Sequence, residues 1–418
     1  MKSLNIHISK RSSTSHLLFL LLGTYLLNLG NNILLYSVFS LYMLFVSLSF
    51  WYSIRIDKAV FLFLLLSVAS LFLSITLNGI TIPSIPSVIW YNIVLLVANI
   101  LLYSLTTSAI DFEKTAKILV ALSYLYIGKI VFDILQMITE LKVVRYSGTF
   151  SDPNYFSMIC LVFISVLAYW NNHTKKEAAG RIFIILNRSL IVAYSVALLL
   201  TFSRSGIIGW LIFIISVLVG KVSKGRHRVL EIKVRPILRV LAIIYAISLL
   251  VVFFLSKTKM FQMILSYFNL RMFGESDVRS GLSRLYEIAA GLNFYSERFP
   301  LSIIGMGHSM SEDGSLFREY YKTQIVSFYP RIHNTLAAIL FEDGLGSFLV
   351  FFYIIYRNFD LLLTAKHEDK YIFLGLYLGI LLISMFVWSL YFIPFFIAVF
   401  WFPVLISKSD LNSGRKLY

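Results

Sequence analysis

Apolar runs long enough to cross a lipid bilayer follow one another along almost the whole chain. A spanning helix needs about 17–25 mostly apolar residues. Charged residues make up only 14% of the chain, against about 25% in soluble domains, so too few polar side chains exist to cover a water-facing globule. The sequence therefore predicts an all-α integral membrane protein with about 12 transmembrane helices. The predicted spans lie near 15–30, 32–53, 59–78, 88–109, 116–137, 154–170, 185–201, 206–220, 239–256, 335–356, 371–389 and 391–407.

Basic residues accumulate on one side of these spans. The short segments on that side, including both termini, carry 24 Lys and Arg, whereas the short loops opposite hold only Lys142, Arg145 and Arg204. Cytoplasmic loops retain Lys and Arg, so both termini are predicted to be cytoplasmic. The net charge of +16 follows from this bias, and no nucleic-acid partner is expected. The first apolar run lacks a small-residue cleavage site, so no cleavable signal peptide is expected.

One outer connection is far longer than the others. Residues 257–334 lie between the ninth and tenth spans, and structureless loops longer than about 15 residues are uncommon, so this segment is predicted to be functional. Residues 282–298 have the apolar spacing of an amphipathic helix along the membrane surface. We therefore expect a single polytopic membrane domain over 1–418, with 257–334 as a large, partly helical periplasmic loop.

Three short polar stretches interrupt the apolar pattern on the same, outer side. They are Gly148–Asn154, Thr201–Gly206 and His333-Asn334. The bilayer core rejects polar groups unless they are paired or functional. A polar cluster assembled at one membrane face from distant segments is typical of an integral membrane enzyme.

Arginines on this side fit the recognition of phosphate. Arg204 lies beside Ser203 and Ser205 at a helix start, where hydroxyls, backbone N–H groups and the helix dipole favour an anion. An interfacial arginine that reaches lipid headgroups is the alternative interpretation. Arg279 and Arg284 of the long loop could bind a diphosphate through their guanidinium forks, or be solvated loop charges.

The remaining polar positions each have a functional and a structural interpretation. His333 can accept a proton near neutral pH or be an ordinary interfacial residue, and Asn334 is placed to cap the tenth span. Asp152 and Asn154 open the sixth span as a turn and cap. Glu342 falls inside the tenth span, where ionisable residues are functional candidates.

Several motifs are absent from the sequence. It has no Walker motif, no His/Cys/Asp cluster with metal-ligand spacing and no Gly-x-Ser-x-Gly elbow. We therefore expect no metal and no cofactor, and a reaction driven by an activated substrate.

In order and spacing, the polar stretches resemble the O-antigen ligase and O-antigen polymerase superfamily of bacterial envelope glycosyltransferases. The matching pieces are Gly148–Asn154, Leu200–Gly206, Ser283–Glu287, Pro300 leading to Gly305–Gly307, and His333–Gly346. The resemblance implies a mostly helical, metal-independent enzyme in the bacterial inner membrane. Such enzymes transfer a glycan from an undecaprenyl diphosphate carrier at the periplasmic face.

The resemblance also implies roles for individual residues. Arg204 and Arg284 would bind the donor diphosphate, with Arg279 as an alternative to Arg284. His333 would assist attack by the acceptor hydroxyl or position the leaving group, giving inversion by direct displacement. Glu287, Glu342 and Asp343 are further candidates for a general base. The positions expected to contact substrate are Arg279, Ser203, Ser205, Asp152, Asn154, Asn334, Glu287 and Glu342.

Polymerase and ligase share these motifs and differ in the acceptor. The acceptor is another carrier-linked repeat unit in a polymerase, which we favour, and the lipid A core in a ligase. A flippase or other transporter would have binding groups near the midplane and often repeated halves, and a scaffold would not need the arginine–histidine set. Expected partners are the lipid-linked glycan, membrane lipid, a chain-length regulator and a flippase.

Overall fold

The computed structural model describes residues 57–77, 87–109, 112–140, 146–148, 150, 152–174, 178–224, 266, 303–309, 332–387, 389–390 and 392–414. Within these ranges every regular element is helical and no strand occurs, which confirms the predicted all-α class. The predicted spans 15–30, 32–53 and 239–256 and the predicted helix 282–298 lie outside the described residues. The helices are α1 Lys58–Leu77, α2 Ser87–Ala109, α3 Phe112–Thr139, α4 Pro153–His173, α5 Ala178–Leu200, α6 Arg204–Lys224, α7 Thr335–Thr364, α8 Lys370–Ser384, α9 Ile393–Phe396, a π-helix Ile397–Trp401 and α10 Phe402–Gly414.

Six of the described helices are long and apolar enough to cross a membrane, namely α1, α3, α4, α5, α6 and α7. Large apolar side chains stay exposed along them, such as Ile182, Ile185 and Val192 of α5. An exposed apolar surface of this extent fits contact with lipid rather than water. The total of twelve spans and the cytoplasmic termini remain predictions.

Helix α4 lies at the centre of the bundle. Of the residues in its apolar window 83% are buried, against 28% in α5 and in α6. Near its C-terminal end, Tyr169 packs edge-on against Phe112, which also meets Phe373 and Phe402 with ring centroids 5.1 and 5.7 Å away. Because α4 is enclosed by its neighbours, the polar residues at its start are held in a fixed place.

Helices α6 and α8 run antiparallel and approach closely at glycines. A Cβ added to Gly379 would lie 2.8 Å from the Gly209 carbonyl oxygen, and one added to Gly220 would lie 2.6 Å from Tyr371 Cβ. Small residues let membrane helices pack backbone to backbone. This pairing brings the end of α8 next to the start of α6.

Helices α1 and α7 also run antiparallel. Arg357 Nη1 lies 2.7 Å from Asp57 Oδ2 at the start of α1, and Ser67 Oγ donates to Asp343 Oδ2 over 3.0 Å further along. Helix α7 is broken at Gly344, whose φ of 80° and ψ of 175° are not helical. The part of α7 before this glycine, Thr335–Asp343, is therefore a separate segment of the helix, and we call it the outer segment after the predicted orientation.

The predicted span 371–389 extends too far, because α8 ends at Ser384. The chain beyond it turns to meet the start of α7. Thr335 Oγ1 donates to the Val387 carbonyl over 2.8 Å and accepts from the Ser389 N–H over 2.9 Å. These bonds stabilise a chain reversal after Ser384 instead of a continuation of α8. They also hold the start of α7 against the end of α8.

Candidate functional site

The three polar stretches predicted to share one membrane face lie at one end of the helix bundle. The starts of α4 and α6 meet through side chains, and the Tyr146 N–H donates to the carbonyl of Leu200, the last residue of α5. The start of α7 bonds to the Val387–Ser389 turn. Phe392 follows this turn and stacks on Tyr155 of α4 with 4.3 Å between the ring centroids, so the start of α7 lies at the same end of the bundle. We call this end the polar end.

Asn154 joins the start of α4 to the start of α6. Asp152 caps α4, since its Oδ1 accepts from the Asn154 N–H over 2.7 Å, and Pro153 occupies the first turn. The buried Asn154 side chain then accepts at Oδ1 from Ser203 Oγ over 2.5 Å and from Ser205 Oγ over 2.9 Å. One amide oxygen thus holds two hydroxyls that are about 50 residues away in sequence.

The turn between α5 and α6 presents Arg204. Phe202 adopts φ of 48°, a left-handed conformation that is strained for an aromatic residue. Ser203 caps α6, because its Oγ accepts from the Gly206 N–H over 3.0 Å. Arg204 is the first residue of α6 and is exposed. The guanidinium therefore stands at the positive end of the helix dipole, where an anion is favoured.

His333 and Asn334 lead into the outer segment of α7. Asn334 is the N-cap, as predicted, since its Oδ1 accepts from the Ala337 N–H over 3.0 Å. The preceding Ile332 is buried and anchors the chain, whereas His333 is half-buried. The imidazole thus lies at the polar end, on a backbone fixed on both sides.

A second polar cluster, in which an unpredicted histidine meets the predicted candidates Glu342 and Asp343, lies about 12 Å further along α7 at 1.5 Å per residue. His308 Nδ1 lies 2.6 Å from Asp343 Oδ1, and both side chains are fully buried. The neighbouring Ser309 N–H donates to Glu342 Oε2 over 3.0 Å. Burial opposes charge on His308, but the carboxylates of Asp343 and Glu342 outweigh it and raise the pKa of the imidazole.

Glycines allow segment 303–309 to reach this depth. The Met306 N–H donates to the Phe341 carbonyl over 2.9 Å, and the Gly307 N–H donates to the Glu342 carbonyl over 2.8 Å. Gly305 has φ of 90°, and a Cβ added there would lie 2.5 Å from the Gly344 nitrogen. Glycines are therefore needed in both segments for the two backbones to touch, and segment 303–309 packs against α7 where the helix breaks at Gly344.

The predicted site residues divide into those that the structure brings together and those that it does not describe. Asn154, Ser203 and Ser205 form one hydrogen-bonded group beside Asp152 and Arg204, and His333 and Asn334 lie at the same end of the bundle. Glu342 and Asp343 face segment 303–309. Arg279, Arg284 and Glu287 lie outside the described residues. His308 was missed, although its position directly after Gly305-Met306-Gly307 marked an unusual backbone.

These features define a polytopic helical membrane protein with a polar site assembled at one end of its bundle. A family model described as O-antigen ligase matches residues 189–354. The match confirms the predicted resemblance to the O-antigen ligase and polymerase superfamily, and it includes Arg204, His333 and segment 303–309. No curated protein matches the chain significantly.

Proposed function

We propose that the protein is an O-antigen polymerase, an inverting glycosyltransferase of the bacterial inner membrane with its site on the periplasmic side. It moves glycan from undecaprenyl diphosphate onto another lipid-linked repeat unit. The observation that carries this proposal is the bonding of Asn154 to Ser203 and Ser205, which sets Arg204 at the start of α6 within the family match. That arrangement suits the diphosphate of a lipid-linked donor.

In the proposed reaction the acceptor hydroxyl oxygen forms the new bond to the anomeric carbon of the donor sugar. The bond from that carbon to the diphosphate oxygen breaks, and its electron pair leaves with undecaprenyl diphosphate. Arg204 and Arg284 stabilise the charge on the departing diphosphate, and His333 takes the hydroxyl proton; if His333 instead orients the leaving group, Glu287 takes that proton. A diphosphate is a good leaving group, so positioning and charge stabilisation are the main tasks of the protein.

The O-antigen ligase is the second candidate, since ligase is the description of the matched family. It would use the same donor, and the acceptor would be the lipid A core. Groups at one end of the bundle suit either enzyme better than a transporter, whose binding groups usually lie near the midplane.

The test is complementation of a strain that lacks this protein, with surface polysaccharide resolved on a gel. The variants are Arg204→Ala, Arg284→Ala and His333→Ala at matched expression. The control is Arg181→Ala, which removes an exposed arginine near the opposite end of α5. If the protein is a polymerase, the three variants should give lipid A core with a single repeat unit and no ladder. The control should give a normal ladder.

Other outcomes separate the alternatives. Bare core together with carrier-linked polymer would identify a ligase. Normal ladders from all three variants would contradict the proposed site and favour a transporter.

A further inference from the structure

The pair His308–Asp343 joins the long outer loop to the helix that begins beside His333. We propose that His308 and Asp343 are positioning residues, which fix the outer segment of α7 and thereby the placement of His333 against the donor. This inference rests on the proposed function, because it assigns His333 a part in glycan transfer.

The outer segment of α7 needs external support to hold its direction. It runs from Thr335 to Asp343 and ends at Gly344, where the backbone leaves the helical conformation. A helix holds its direction through consecutive backbone hydrogen bonds, and a break removes that continuity. The orientation of the segment is therefore set by side-chain and loop contacts.

Contacts clamp this segment at both ends. At its start, Thr335 bonds to Val387 and Ser389. At its inner end, His308 holds Asp343, whose second carboxylate oxygen accepts from Ser67 of α1. The inner clamp thus ties the outer segment both to the loop and to a neighbouring helix.

Among the contacts at the inner end of the segment, the ionisable pair His308–Asp343 is the most sensitive to substitution. Both side chains are fully buried and 2.6 Å apart, and a carboxylate that loses its partner in such a place becomes an uncompensated charge. Because neither group is exposed, the pair acts through the position of α7 rather than by touching substrate. A displacement of about 1 Å at a reacting group can lower a rate about 100-fold.

The experiment uses the purified full-length protein in proteoliposomes, with lipid-linked repeat units extracted from the source strain as donor and acceptor. His308→Ala and Asp343→Asn are expected to lower kcat roughly 10–100-fold while the donor KM changes less than about threefold. The double variant should be no slower than the slower single variant, because both act through one interaction. His308→Asn, which can restore a hydrogen bond, should recover part of kcat.

The matched control is Asn358→Ala on the same helix. Asn358 is also buried, and it donates to the Val399 carbonyl over 2.8 Å on the far side of Gly344. Its loss should lower thermal stability and leave kcat per folded molecule unchanged. If the His308 and Asp343 variants keep wild-type kcat, or lose activity only in proportion to folded protein as the control does, the positioning role is wrong.

A second readout needs no substrate. Spin labels at Ala337→Cys and Leu349→Cys, on either side of Gly344, report the orientation of the outer segment in a Cys160→Ser background. We expect the label-to-label distance distribution to broaden in His308→Ala and not in Asn358→Ala, and an unchanged distribution would overturn the inference. If wild type and His333→Ala are equally inactive in transfer but the distances respond to His308→Ala, the proposed function fails while the positioning of α7 stands.

Discussion

A single side chain, Asn154, connects two of the polar stretches. Its amide oxygen accepts from Ser203 and Ser205, so both buried hydroxyls are satisfied by one group. A buried hydroxyl without a partner costs about 1–3 kcal/mol. The arrangement therefore requires a hydrogen-bond acceptor at position 154. The two bonds fix Ser203 and Ser205, the residues on either side of Arg204.

Gly206 tests how tightly this arrangement is packed. A Cβ there would lie 2.7 Å from Ser157 Cβ and 3.1 Å from Ser203 Oγ. We expect Gly206→Ala to lower the free energy of unfolding by about 1–3 kcal/mol and to reduce polysaccharide chain length, because the cap of α6 must shift.

The control for this prediction is Gly128→Ala in α3, where an added Cβ meets nothing within 4 Å. That change should stabilise the helix by about 0.5–1 kcal/mol. Thermal unfolding in detergent measures both variants, and equal effects would argue against close packing at Gly206.

His308 predicts a pH dependence of stability. Asp343 and Glu342 are the charged groups that face it among the described residues, and they raise its pKa in the folded protein in spite of burial. Such a group stabilises the fold below its unfolded pKa of about 6.5, and this contribution is lost as pH rises through the folded pKa. We expect Tm to fall from about pH 6 upward and the fall to be smaller in His308→Asn. If Tm falls with pH equally steeply in wild type and in His308→Asn, His308 is not the source of the pH dependence.

The polar residues of the site differ in how far the sequence revealed them. Asn154, Ser203 and Arg204 stand out because polar residues between apolar runs are rare in membrane proteins. Glu342 and Asp343 were candidates as well, but His308 was not, because its pairing with Asp343 depends on a loop that turns back into the bundle. The two residues are 35 positions apart, and this spacing alone does not predict that they meet.

Among the helices, α7 departs most from the sequence pattern. Its apolar run predicted one span over 335–356, and the structure has a helix over Thr335–Thr364 with a break at Gly344. The break depends on the contact between Gly305 and Gly344, which brings two backbones together. Hydrophobic periodicity carries no information about such a contact, so the interruption could not be predicted.

The break predicts a large penalty for a side chain at Gly344. Alanine there would combine a φ of 80° with overlap of the Ile303 and Ile304 carbonyls, whose oxygens an added Cβ would approach to 2.3 and 2.6 Å. We expect Gly344→Ala to lower the free energy of unfolding by roughly 3–5 kcal/mol, the sum of backbone strain and overpacking.

Gly346→Ala is the matched control, because an added Cβ there meets only Leu66 Cδ1 at 3.9 Å. Its effect should stay within about 1 kcal/mol in either direction. Both variants are measured by thermal unfolding in detergent. A mild effect at Gly344 would mean that the loop and helix can separate without loss of the fold.

For the whole molecule, the apolar runs were sufficient to predict the class and most of the described helices. Runs near 59–78, 88–109 and 206–220 correspond to α1, α2 and α6. The pairing of α6 with α8 and the central place of α4 could not be obtained in this way. They depend on glycine contacts and on aromatic packing between distant segments, which a one-dimensional pattern does not contain.

The site at the polar end is proposed to transfer glycan without ATP or metal, and one assay examines this. Wild-type protein and Arg204→Ala are placed in proteoliposomes with lipid-linked repeat units and a chelator, and free undecaprenyl diphosphate is measured. We predict that wild type releases one undecaprenyl diphosphate for each glycosidic bond formed, and that Arg204→Ala loses this release while Arg181→Ala keeps it. No release by wild type, or equal release by Arg204→Ala, would contradict glycan transfer at this site.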